Sequence, residues 1–143
     1  LYLIQLALPW KWEGLYELQL EEGFKRWSGL VLFIYIGMQW FLTTTRITPF
    51  IQKYSRKVLL AHKWMGAVTP LLFYIHSMDM GYGYLFVTSL VFLTNTLIGI
   101  VNLEVLKSSY KWIFNTWMIL HVAFSLIITF GTFVHIFIVF YYH

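Results

Sequence analysis

The chain has 143 residues, 59% of them hydrophobic and 11% charged, with a mean hydropathy of +0.69. Soluble domains are about 45–50% apolar and about 25% charged, so this composition excludes an ordinary soluble enzyme and implies an integral membrane protein. The absence of cysteine excludes disulfides, thiolate-held iron–sulfur clusters and covalently attached c-type heme. A net charge of +4 is small and sits at helix ends, which speaks for membrane topology and surface contact and against nucleic-acid binding.

In chain order, residues 1–26 are expected to form an N-terminal interfacial segment. The apolar run Leu1–Leu8 stops at Pro9, far short of the roughly 20 residues of a crossing, and reads as the end of a helix that begins outside this sequence. It has no basic flank before it and no small-residue cleavage site after it, so no signal peptide is legible. Gly14–Gly23 mixes Leu15, Tyr16, Leu18 and Leu20 with acids. That mixture fits an amphipathic helix lying on the membrane, or one that docks on a partner.

Residues 27–143 are expected to form a four-helix transmembrane domain. Trp27–Thr45 is the first span and is uncharged; Val58–Met78 is the second; Tyr84–Leu103 is the third; Trp112–Tyr142 is the fourth and is long enough to tilt or emerge. The fold class is therefore all-α: a transmembrane helical bundle of four spanning helices plus an N-terminal interfacial helix. Loops 46–57 and 104–111 carry Arg46, Lys53, Arg56, Lys57, Lys107 and Lys111. The positive-inside rule puts both loops on the cytoplasmic side and both termini opposite. Spans two and four then run parallel.

Two histidine pairs stand out. His62 and His76 lie 14 residues apart in span two, and His121 and His135 lie 14 apart in span four. Fourteen residues is close to four helical turns, so each pair shares a helix face with about 21 Å between its members. In parallel helices, His62 couples with His121 and His76 with His135, one couple in each leaflet. Intramembrane histidines are costly and rare. A lone one is more often a hydrogen-bonded helix contact than a ligand, but two equal spacings on parallel helices ask for more. A 21 Å separation forbids all four meeting one ion, and two imidazoles underfill a zinc site. Octahedral heme iron takes two axial imidazoles from opposite sides. The expectation is two b-type hemes, with His62, His76, His121 and His135 as the iron ligands.

Around them, Gly66 follows His62 by four residues and Gly131 precedes His135 by four, so each shares its histidine's face and leaves room for a porphyrin. The competing reading is close helix packing at small residues. Arg56, Lys57 and Lys63 cluster at the His62 end and serve topology, heme propionates, or both. Thr69, Ser125 and Thr132 are within reach of an imidazole N–H or simply pack. No Gly-rich phosphate loop and no Ser–His–Asp arrangement is present, and no flavin or nicotinamide site.

On A-H-K-W-M-G-x8-I-H-S in span two, L-H-V-x11-V-H-I in span four and one span between them, the stretch from Arg56 to Tyr142 resembles the ferric reductase-like transmembrane domain. That diheme cytochrome b core is shared by ferric reductases, NADPH oxidases and the heme-binding membrane subunit of methionine sulfoxide reductase systems. The resemblance implies that His62, His76, His121 and His135 are axial heme b ligands. The 44 residues between His76 and His121 are fewer than the quinol-oxidising cytochrome b usually has there. The resembled family commonly has six spans, and members that reduce iron or oxygen add a flavin and nicotinamide domain. The chain thus reads as an electron-transfer subunit of an oxidoreductase complex, passing electrons between partner redox proteins or quinone, and not as a complete enzyme. Two alternatives stand beside it: a quinol-oxidising cytochrome b subunit using Asn95, Glu104 or Asp79, and a non-redox structural membrane subunit whose histidines only pack.

Overall fold

The computed structural model describes residues 2, 5, 11–101 and 111–142, and among these it is helical with no strand. The described elements are α1 (Glu13–Leu20), α2 (Glu22–Gln39), α3 (Phe41–Ile47), a 3-10 turn (Pro49–Tyr54), α4 (Ser55–His76), α5 (Tyr84–Ile100) and α6 (Lys111–Tyr141). They fall into two compact units, Leu1–Asp79 and Met80–His143.

In the first unit, two stretches are long and apolar enough to cross a membrane: Glu22–Ile47, of 26 residues, and Pro49–His76, of 28. The Arg26 guanidinium lies 3.6 Å from the Glu22 carboxylate one turn away, and α2 starts at Glu22, five residues ahead of the expected Trp27. The first stretch ends where the chain must turn. Thr48 is extended, with φ −95° and ψ 111°, as steric conflict with a following proline requires. Pro49 then opens the 3-10 turn at a position where its missing N–H costs nothing. The chain returns as α4, antiparallel to α2: Gln39 meets His62, Tyr35 meets Met65 and Ser28 meets His76.

The end of α4 is held by α1. The last carbonyls of a helix have no intrahelical donors, and Gln19 supplies two. Its Nε2 donates to the carbonyls of Tyr74 and Ile75 at 2.9 Å each, while its Oε1 accepts the Met78 N–H at 3.0 Å. Leu15, one turn earlier on the same face, is buried with Tyr74 and Met78. The surface-facing amphipathic helix expected from sequence therefore turns its buried side toward α4. Tyr2 donates to the Ser77 carbonyl. Its burial, with Tyr74 and the Asp79 carboxylate beside it, pushes the Tyr2 hydroxyl pKa up, so it stays a neutral donor. Lys11 pairs with Asp79 at 3.1 Å, with both side chains well exposed.

In the second unit, Gly81 and Gly83 take φ of +72° and +59°, values that only glycine adopts cheaply. Ser89 Oγ donates back to the Met80 carbonyl at 3.1 Å and ties this turn to α5. α6 has 31 residues and is the third stretch long and apolar enough to cross. α5 has 17 residues, about 26 Å of helix against a hydrocarbon core of about 30 Å, so it falls just short of the other three. The expected third span to Leu103 reaches into residues 102–110, which lie outside the described residues, as do Glu104, Lys107 and His143. α5 and α6 run antiparallel: Thr88 meets Gly131, Asn95 meets Ser125 and Gly99 meets His121.

The Gln19 clamp predicts a stability split. Gln19→Ala leaves two carbonyls and an N–H to find other partners, which costs about 2–4 kcal/mol at this burial. Lys11→Ala breaks an exposed ion pair worth less than about 1 kcal/mol. Denaturant titration in mixed micelles should show the first change and hardly the second; equal effects would mean that Gln19 does not hold α4.

Candidate functional site

The four histidines divide two to a unit. His62 and His76 stand on α4, and His121 and His135 on α6. All four are partly buried. On α4, what each ring touches within its own hairpin fixes which nitrogen carries the proton.

His62 Nδ1 lies 3.2 Å from the carbonyl of Gln39 at the end of α2. A carbonyl only accepts, so Nδ1 carries the proton and the lone pair sits on Nε2. His76 reaches the same state by a different partner. Its Nδ1 is 3.0 Å from Ser28 Oγ, and that hydroxyl spends its own hydrogen on the Phe24 carbonyl at 2.6 Å. Ser28 therefore accepts from His76 Nδ1–H, and Nε2 again keeps the lone pair. Gly29 makes this approach possible: a Cβ there would come 3.0 Å from His76 Cε1.

On α6, the His121 ring rests against Gly99, where a Cβ would come 3.2 Å from its Cε1. It stacks on Trp117, with centroids 5.9 Å apart and planes at 5°, and the Trp117 indole N–H donates to the Ile98 carbonyl at 2.8 Å. Ser125 donates to the His121 carbonyl at 2.7 Å and accepts from Asn95 Nδ2 at 3.0 Å. His135 Nδ1 is buried with no hydrogen-bond partner among the described residues.

The glycines singled out from sequence differ in their surroundings. At Gly66 a Cβ would meet nothing within 4 Å, so the face of His62 is open there; at Gly131 it would come 2.9 Å from Thr88 Oγ1, so that space is taken by α5. Thr69, Ser125 and Thr132 bond back to carbonyls one turn earlier on their own helices at 2.6–2.7 Å, as hydroxyls inside helices do. Arg56, Lys57 and Lys63 are exposed at the His62 end of α4. Asp79 is engaged by Lys11.

Ser28, Gly29, Gly99 and the Gln39 carbonyl were not found from sequence. The Ser-Gly dipeptide in the first span was the available signal, but it acquires meaning only once the antiparallel register sets it opposite His76.

Among the described residues, no three His, Cys, Asp or Glu side chains gather to hold a metal ion. What the arrangement contains is four separate imidazoles, two on each histidine helix. That donor set fits a planar iron macrocycle, which needs one axial imidazole on each side. The contacts of His62 Nδ1 with the Gln39 carbonyl and of His76 Nδ1 with Ser28 are of the kind that would orient an imidazole ligand and raise its basicity. No family model matches the chain, and neither the curated proteins nor the solved structures yield a match.

Ser28→Ala removes the acceptor of the His76 proton, whereas Ser28→Thr keeps a hydroxyl. In nitrogen-15 spectra of labelled histidine, the alanine variant should show one imidazole moving from an Nδ1–H tautomer to a mixture, and the threonine variant should not. An unchanged alanine spectrum would mean that Ser28 does not set the tautomer.

Proposed function

We propose that this chain is a diheme b-type cytochrome subunit that carries electrons across a membrane between partner redox proteins or quinone. In this reading it is a multi-pass protein of four crossings, with α5 as the shortest, since 17 residues is the lower limit of a crossing helix. Loops 46–57 and 104–111 face the cytoplasm and the termini face the other side, on the strength of their basic residues. The resemblance to the ferric reductase-like transmembrane domain points the same way.

The observation that supports the reading is that both α4 histidines donate Nδ1–H within their own hairpin, which puts the lone pair of each ring on Nε2, the atom that would bind an iron. The matched 14-residue spacing on α6 supplies the second imidazole for each site. One heme would be held by His62 and His121, and the other by His76 and His135. A b-type heme supplies reversible one-electron exchange at its iron. The chain's own residues bind and orient. Gln39 and Ser28 hold the α4 rings in place, and Gly66 keeps a side chain off the His62 side of its helix, whereas the space expected at Gly131 is filled by Thr88. Arg56, Lys57 and Lys63 offer positive charge to propionates at the His62 end. In this reading the segment moves single electrons between its hemes and its redox partners.

A second reading rests on Asn95. Its Oδ1 is buried with no hydrogen-bond partner among the described residues, one turn from the Gly99 that supports His121. A quinol hydroxyl would donate to it, which favours quinol oxidation at this end. Quinol-driven reduction that is lost in Asn95→Leu at unchanged heme content would establish that route.

The couples are tested by counting heme in alanine variants. Wild type should hold two hemes, and each single His→Ala one. His62→Ala/His121→Ala should still hold one, because both changes strike the same site, whereas His62→Ala/His135→Ala should hold none. Full loss in the first double variant, in folded protein, would overturn the pairing.

A further inference from the structure

Between Glu22 and Asp79 the sequence has no acidic residue and seven Lys or Arg. Four of these, Arg46, Lys53, Arg56 and Lys57, crowd into the turn from α3 to α4, and all four are exposed. Two ion pairs among the described residues of this unit, Lys11 with Asp79 and Arg26 with Glu22, lie elsewhere. Set among the cations are Ile47 and Phe50, 74% and 84% exposed, more than any other large apolar side chain among the described residues of the unit.

The turn is shaped to present these groups together. Pro49 starts it, and the Ile51 N–H closes it onto the Thr48 carbonyl at 3.2 Å. In a 3-10 turn, residues three apart lie one above the other, so Phe50 and Lys53 share an edge. The Lys53 ammonium stands 5.1 Å from the centroid of the Tyr54 ring. The α4 helix that follows has 22 residues, about 33 Å of helix against a hydrocarbon core of about 30 Å, so the turn before it reaches headgroup level.

We propose that this turn is a binding site for the headgroup of an anionic phospholipid. Phe50 and Ile47 seat at the boundary between headgroups and acyl chains, and Arg46 and Lys53 hold the phosphate. The complementarity is specific in sign: with no acid in the whole segment to offset them, the cations gain more from a lipid of net negative charge than from a zwitterionic one. The site depends on the membrane crossings and not on the heme reading, since Arg46 and Lys53 take no part in the latter.

The test uses the full chain in nanodiscs of equal phosphatidylcholine and phosphatidylglycerol, released gently and read by native mass spectrometry. Retained phosphatidylglycerol should exceed phosphatidylcholine severalfold. The preference should fall to parity in Arg46→Gln/Lys53→Gln and survive in the charge-keeping Arg46→Lys/Lys53→Arg, which controls for folding. Phe50→Ser should lower total lipid retention, and millimolar inorganic phosphate should not displace the lipid. No preference in wild type, a preference that persists in the neutralised variant, or displacement by free phosphate would overturn the proposal.

Discussion

An imidazole has two nitrogens, and burying either without a partner in an apolar setting is expensive. That constraint organises the chain around its histidines. The protein answers it one edge at a time. Within the first unit, α2 provides an acceptor for each Nδ1: a backbone carbonyl for His62 and a hydroxyl for His76. The remaining nitrogen of each ring is then defined as a base. Iron in a porphyrin is a partner that fits it, and a bare metal ion without further ligands is not.

The same constraint explains the hairpins. A helix that carries two histidines four turns apart needs a neighbour that comes close at chosen heights, and each unit pairs its histidine helix with an antiparallel partner that has glycine at one of them. Gly29 lies under His76 and Gly99 under His121. Backbone ends follow the same logic. α4 finishes at His76, so that imidazole sits in the last turn, where carbonyls lack donors and helices fray. Gln19 takes up two of those carbonyls, which turns a weak terminus into a fixed one. Helix α1 thus contributes to the position of the second histidine through the backbone of α4.

Much of this was legible in the sequence because hydrophobic runs and histidine spacing are local signals. The apolar stretches placed the helices to within a few residues, and the equal spacings picked out the four rings. The parts that were missed are non-local. Ser28 and Gly29 look like ordinary span residues until the register opposes them to His76. Thr69, Ser125 and Thr132 share faces with histidines, yet their hydroxyls reach carbonyls on their own helix first. Gln19 sits among exposed acids, so its burial against α4 could not be inferred from composition. α5 ends at Ile100, three residues before its expected limit, because apolar character in a sequence does not mark where a backbone leaves the helix.

The central claim is that the four histidines hold two hemes. The most direct measurement is a reduced-minus-oxidised visible spectrum of the purified chain, expressed with heme available, with pyridine hemochrome quantitation. The account predicts two b hemes per chain with low-spin bands. A folded, colourless protein would contradict it and leave the histidines as packing residues.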